Sequence, residues 1–201
     1  MKLRKMLSVQ FLSTALSAVA LAQAPYQAGD YGVDSMHSNV GFEVPHLVIS
    51  SVEGKFLKYE GNLKLDQKFE KSKVSFLVDI ASIDTSVKKR DDHLKSPDFF
   101  DAAKYPNMKF ESSEISGTPD SFKLIGQLTI KGVTKKISFD SHYLGSVKDG
   151  YGNQKVAFTA KTKISRKEFG LTWNNVVEAG PVVGDEITIT LKIQAAKIEK
   201  K

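Results

Sequence analysis

The residues that could do chemistry are few. Histidine occurs four times, at His37, His46, His93 and His142. Acids stand near two of them: Asp34 before His37, and Asp91 and Asp92 before His93. Such groupings can hold a divalent metal through three or four N and O ligands, or supply a general base. The spacing supports neither. No two histidines stand four apart, as on one helix face, or two apart, as on one strand face. Ser38 beside His37 offers a nucleophile, but no Gly-x-Ser-x-Gly elbow presents it. The histidines therefore read as hydrogen-bonded structural groups or as groups at the mouth of a pocket. A metal- or histidine-dependent hydrolase stands only as an alternative. No catalytic residue, metal site or cofactor is assigned, and the chain is expected not to be an enzyme.

Absences narrow the chemistry further. With no cysteine, the chain has no disulfides, thiolate nucleophiles or iron–sulfur ligands. No glycine-rich phosphate loop, dinucleotide fingerprint or EF-hand occurs. Arginine is scarce: beyond Arg4, only Arg90 and Arg166 occur in a lysine-rich chain. A planar, multidentate donor is the feature lysine cannot supply at those two places. A structural ion pair is the expected role, with contact to a polar ligand headgroup as the alternative.

The first residues belong to export rather than to the fold. Lys2, Arg4 and Lys5 precede a short apolar run from Met6 to Ala22, which ends in Ala-x-Ala spacings. This is the pattern of a signal peptide over residues 1–22, cleaved after Ala22 or Ala24, and it predicts a secreted, periplasmic protein. Its removal takes the formal charge from +6 to +3. The remaining lysines are scattered among acids, which argues against a nucleic-acid partner. About 178 residues then form residues 23–201 as one domain, long enough to bury a core without disulfides.

Those residues alternate. Ser38–Val44, Lys73–Ile80, Ser121–Ile130, Lys135–Tyr143, Lys155–Ser165 and Asp185–Ala195 each carry one apolar and one polar face. That is the mark of half-buried antiparallel strands. Gly54–Asp66 and Met108–Ile115 add two weaker strands, with Gly61 read as a bulge or bend. Lys131-Gly132 predicts a tight hairpin. From Asp84 to Ala103 the rhythm turns helical: one helix capped by Asp84 or Thr85 runs to Leu94, and Ser96-Pro97 starts a second. Pro45–Val52 is expected to hold a short helical turn.

Eight or so such strands make an all-β domain, with a closed barrel favoured over a sandwich. A barrel of about eight strands is either filled by its side chains or holds one small ligand. The inward faces are rich in phenylalanine. They predict a lumen lined by Phe42, Phe76, Val78, Phe110, Phe122, Leu124, Leu128, Phe139, Phe158, Ile189 and Leu191. A filled core and an apolar tunnel share this pattern, so a ligand-free structural barrel stays open at this point.

The chain resembles the YceI-like family of exported polyisoprenoid-binding proteins. The likeness rests on Val33-Asp34 with His37-Ser38, on Gly54-Lys55-Phe56, and on Ser82-Ile83-Asp84-Thr85. It continues through Arg90-Asp91-Asp92-His93-Leu94, Asp98-Phe99-Phe100-Asp101 and Tyr105-Pro106. It closes with the run Gly126–Thr134 and with Arg166-Lys167-Glu168-Phe169-Gly170-Leu171. It covers about Tyr31 to Ala195. Glu168 departs from the aspartate usual in the family, without expected consequence. The resemblance implies a lipocalin-like, eight-stranded antiparallel β-barrel with a short helical crossover. It also implies an elongated cavity that binds, stores or transports an isoprenoid, an isoprenoid quinone or a similar amphiphile. On that reading His37, His46, Arg90, His93 and Trp173 meet the headgroup at a polar mouth. Contact with a membrane surface for lipid exchange, and a homodimer, are the further partners it allows.

Overall fold

The computed structural model describes residues 25–177 and 180–199. The expected signal peptide lies outside the described residues. The strands run in chain order as β1 (Gly29–Val33), β2 (Asn39–His46), β3 (Ser50–Phe56), β4 (Tyr59–Leu65), β5 (Lys73–Asp79) and β6 (Ile83–Asp84). After helix α1 (Lys88–Lys95) come β7 (Asn107–Thr118), β8 (Ser121–Ile130), β9 (Val133–Lys148) and β10 (Gln154–Ser165). The short pair β11 (Val176–Val177) and β12 (Gly180–Pro181) precedes the last strand, β13 (Glu186–Lys197).

Strands β1, β4, β5, β7, β8, β9, β10 and β13 pair in that order, and β13 returns to β1. The result is the closed, eight-stranded antiparallel barrel that the alternation predicts. The wall has an irregular half. Strand β13 also pairs with β2, which pairs with β3, which pairs with β6. Three consecutive wall strands are thus broken at one level: between β1 and β2, between β3 and β4, and between β5 and β6. Local caps make two of the breaks. Asp34 accepts from Met36 N, and Asp79 accepts from Ala81 N, each turning the chain through one 3-10 turn. Ser82 Oγ accepts from Lys58 N and donates to Asp79 O, locking the break between β3 and β4 to the one between β5 and β6. Below the breaks the barrel closes. Above them α1 and the turns up to Pro106 cross from β6 to β7.

Aromatic rings close the lower end. Tyr26, Phe69, Phe122, Phe158 and Tyr143 meet in a ring of contacts, with centroids 4.9–6.4 Å apart. Tyr26 is held there by its hydroxyl, which donates to Asp66 O at 2.8 Å. Further up, three phenylalanine rings lie flat against the wall on glycines. A Cβ on Gly54 would come within 2.3 Å of the Phe42 ring, one on Gly61 within 2.7 Å of Phe76, and one on Gly126 within 2.6 Å of Phe110. Gly61 is therefore a seat for a ring rather than the bulge its sequence context suggests, and β4 pairs with β5 through it without a register shift.

Two connections differ from expectation. The Pro45–Val52 segment is a β-hairpin, not a helical turn. His46 pairs with Ser50, and Leu47 and Val48 turn the chain at φ 51° and 67°. No residue-type signal marks such a turn, because leucine and valine disfavour that region. The second helix, at Ser96–Pro97, is absent. Phe100 N and Asp101 N donate back to Leu94 O and Ser96 O, which sends Phe99 toward His93 and Trp173 and Phe100 toward Phe56. Burial of both rings outweighs the capping signal. The helix that does form begins at Lys88, later than the Asp84 or Thr85 cap predicts. The hairpin at Lys131-Gly132 forms as expected, with φ 48° and 77°.

His37 is not at the mouth. It stands on the outer wall, in the break between β1 and β2, where its Nδ1 meets Asp34 Oδ2 at 3.0 Å. Asp34 reaches it first because it stands only three positions earlier in the chain. The same carboxylate receives Lys155 Nζ at 3.1 Å, tying the corner to β10. Ser38 Oγ is occupied by Gln194, donating to its O and accepting from its N. Arg166 lies in the crossover from β10 to β13 and is 3% exposed. Among the described residues it forms no ion pair. It donates to the carbonyls of Gly184, Leu171, Trp173 and Val183. Burial lowers its pKa, and the charge of Asp185 partly offsets this.

Three outcomes follow from these contacts. Gly61→Ala, which drives a methyl into Phe76 and Val33, should cost about 1–3 kcal/mol, read as a Tm lower by several degrees. Arg166→Met strands the buried carbonyl of Leu171 and three half-buried ones, at about 1–3 kcal/mol for a buried group and less for the others. At least about 3 kcal/mol should be lost in urea unfolding, with Arg166→Lys recovering only part. At Asp34 burial raises the pKa, but hydrogen bonds from His37 and Lys155 and the charge of Lys155 outweigh it, so the net shift is downward. A lowered folded pKa contributes stability above the unfolded value of about 3.9 and loses it as pH falls through the folded value. Asp34→Asn should thus cost about 1 kcal/mol at neutral pH and less as pH falls below about 3.9. A loss that stays the same on acidification would disprove the linkage.

Candidate functional site

The barrel is neither solid nor a single open pore. Three spaces lie in line along its axis. The lower chamber, about 120 Å³, is lined by ten of the residues that alternation points inward: Phe76, Val78, Phe110, Phe122, Leu124, Leu128, Phe139, Phe158, Ile189 and Leu191. The upper chamber, about 130 Å³, sits under α1 and is lined by Phe42, Phe56, Leu94, Phe99 and Phe100 among others. The two share Val40, Met108, Ile130 and Ile189 as a common wall. The third space is a cleft of about 430 Å³ at the mouth, sharing Phe42, Leu94 and Phe99 with the chamber below. Alternation thus places all eleven expected lumen residues on these walls, because a strand in a closed barrel has one inward face.

Polar side chains in the lower chamber are scarce: Lys109, Ser141 and Thr159. Ser141 Oγ donates to Phe139 O, and Lys109 sends its ammonium to Glu111 on the surface. Among the described residues no group of three His, Cys, Asp or Glu side chains could hold a metal ion.

The mouth differs. His46, Arg90, His93 and Trp173, four of the five expected mouth residues, line the cleft together. The β2–β3 hairpin brings His46, whose backbone bridges to Val183. Helix α1 brings Arg90 and His93 on adjacent turns. Arg90 is fixed by buried Thr85, which accepts Nε through Oγ1 and Nη2 through its carbonyl, both at 2.7 Å. Thr85 in turn donates to Asp91 at 2.6 Å. His93 stands edge-on to Phe99 and Trp173, each centroid 5.0 Å away, while its Nε2 meets Asp98.

Residue reasoning missed Lys89, Val87, Val182 and Val183 at this mouth. Lys89 reads as one solvated lysine of many. Val182 and Val183 read as part of a turn, and it is the bridge from His46 to Val183 and the bonds Leu47 N to Val182 O and Gly184 N to Pro45 O that show the two hairpins meeting. The acids of α1 face elsewhere. Asp92 sits between Lys88 and Lys95, whose hydrogen bonds lower its carboxyl pKa.

Known proteins share this architecture. A UPF0312 protein of Serratia proteamaculans is 33% identical over 196 residues, 96% of this chain and all of that one. A Campylobacter jejuni YceI protein is similar at 33% identity and TM-score 0.67, over 83% of this chain and 96% of its own. BcnA of Burkholderia cenocepacia superposes at TM-score 0.72 with 25% identity, over 81% of this chain and 98% of its own. A polyisoprenoid binding domain from Saccharophagus degradans shares the fold at TM-score 0.61 and 12% identity, over 86% of this chain and all of that domain. Residues 31–195 match the YceI-like domain, and the chain belongs to the YceI-like family.

Proposed function

We propose that this protein holds and carries an isoprenoid or similar long-chain amphiphile, without chemically changing it, in the periplasm after export. One observation carries the reading: two apolar chambers stand in line behind an open, polar mouth. A long flexible chain can thread such a space, and compact polar molecules find no partners there. Burial of the tail supplies the affinity, about 25 cal/mol per Å² of apolar area before the cost of association. The shared fold of a domain described as polyisoprenoid binding agrees with it.

A solid structural barrel is the weaker reading, because it leaves the chambers without a role. The rim supports exchange with a membrane. Val48, Ile49 and Val176 are strongly exposed on the two adjoining hairpins at the mouth, where they let a tail pass between bilayer and barrel without crossing water.

Mass spectrometry of organic extracts from gently purified protein should recover a long-chain amphiphile, and the emptied protein should take up an added isoprenoid quinone. Leu124→Trp, which fills the lower chamber, should cut uptake at least about tenfold while circular dichroism stays that of the parent. Extracts without amphiphile from several hosts, together with no uptake, would sink the proposal.

A further inference from the structure

Leu94, Phe99 and Phe42 line both the cleft and the upper chamber, and stand as the partition between them. A tail that reaches the lumen from the mouth has to pass these side chains. Phe42 is fixed in β2, with its ring seated on Gly54. Leu94 and Phe99 belong to the turn that leaves α1, and this turn is held down differently from the rest of the crossover.

The first turns of α1 are clamped, because buried Thr85 bonds both Arg90 and Asp91. Past Asp91 the polar contacts stay inside the crossover. Asp92 takes Lys88 and Lys95, His93 meets Asp98, and the N–H groups of Phe99, Phe100 and Asp101 donate to the carbonyls of Ser96 and Leu94. Among the described residues, one hydrogen bond joins residues 92–100 to the rest of the barrel, from Lys131 Nζ to Pro97 O at 2.9 Å. The other ties are between rings: Phe99 and His93 against Trp173, and Phe100 against Phe56.

Two features weaken the closed position. Ser96 Oγ is buried without a hydrogen-bond partner, alone in this among the described residues, and a stranded hydroxyl costs the state that buries it. Asp101 ends the turn in the left-handed region, at φ 52°, which a non-glycine residue occupies only where its surroundings hold it there. Asp101 N donates back to Ser96 O, while Asp101 O accepts from Lys104 N and Tyr105 N. Rotation at this residue therefore parts two hydrogen-bonded units, and only Ala102 N to Lys95 O crosses the joint.

We infer that residues 94–101 are a gate, hinged at Asp101 and pivoting on the clamped turns of α1, that lifts Phe99 from Trp173 to admit a tail and closes over it. This rests on the lipid-binding reading above and adds how the lumen is loaded. Opening breaks few polar contacts, exposes Ser96 to water, and separates rings whose place a passing apolar chain can take. Trp173 belongs to the frame rather than the gate, since its carbonyl accepts from buried Arg166.

Trp173 is the single tryptophan and the chain has no cysteine, so tryptophan fluorescence reports the gate and engineered thiols are unique. Pro97→Cys with Lys131→Cys, joined by a short bis-methanethiosulfonate linker, replaces the one hydrogen bond by a covalent tie. In stopped flow with farnesol, the tie should slow entry and release at least about tenfold and leave the equilibrium affinity unchanged, and reductant should restore both rates. Lys131→Asn, which suits the left-handed turn and releases Pro97, should raise both rates about fivefold, as loss of one hydrogen bond implies. Ser96→Ala, which removes the stranded hydroxyl, should lower both severalfold. Unchanged rates in the tied protein overturn the gate, as do unchanged rates in both single variants if the tied pair does not fold. Farnesol that fails to bind even the untied protein overturns the lipid-binding reading, and hydrogen exchange without ligand then decides the gate. Residues 94–101 should exchange faster than β8 and slow when tied. Exchange as slow as that of β8, and indifferent to the tie, overturns the gate on its own.

Discussion

The interior depends on phenylalanine rings seated on glycine. Phe42, Phe76 and Phe110 would block the axis of an eight-stranded barrel if they stood upright on the wall. Gly54, Gly61 and Gly126 each leave the space of a missing side chain, and the rings lie down into it. This keeps the wall thin and the lumen hollow. Hollowness is costly. At about 24 cal/mol per Å³ of void, chambers of about 120 and 130 Å³ forgo about 3 kcal/mol each. That is a large share of the stability of a typical domain, and packing larger side chains would recover it. An apolar tail recovers the same contacts, so the void is latent binding energy.

The broken wall strands serve the same end. A barrel of eight unbroken strands would be as narrow at the mouth as at its floor. Breaking three neighbouring strands at one level lets the lower half close on the aromatic floor while β2, β3 and β6 leave the cylinder. Helix α1 covers the opening this creates. It buries no residue completely, so its place is set by the Arg90–Thr85–Asp91 contacts and by the Leu94 and Phe99 side chains that reach the chamber below. The crossover from β10 to β13 completes the mouth, held from inside by the four carbonyl bonds of Arg166.

How much of this was legible in the residues follows from the physics of each element. Alternation exposes inward faces, because every second side chain of a strand shares a side. Phe122, Leu124, Leu128 and Ile130 of β8 are therefore all buried as their spacing implies. The Lys131-Gly132 turn was legible because its second residue is the type its backbone requires. Short local contacts were not. Asp34 captures His37 on the outside, and nothing in the residue types distinguishes this from a mouth histidine. The left-handed Leu47 and Val48 oppose their own propensities. Strand β1, only five residues long, buries Tyr31 alone among them, too little for a periodic signal. Val183 becomes a site residue only through its pairing with His46 across distant segments, which spacing along the chain does not encode.

Polarity along the axis sets the direction in which an amphiphile sits. At the floor, the lower chamber is almost wholly apolar, and Ser141 and Lys109 are already bonded within the protein. A hydroxyl or phosphate carried there would lose its water and gain no partner, at a cost of several kcal/mol. One chamber up, the charged group is Arg166, and the crossover carbonyls hold its donors. Only the cleft offers free donors. The gradient works even where the affinity of the head is modest, because the penalty for the reversed orientation is a desolvation cost that no contact in the lumen offsets. Tail first and head at the mouth is then the sole arrangement in which every part of an amphiphile finds a matching wall.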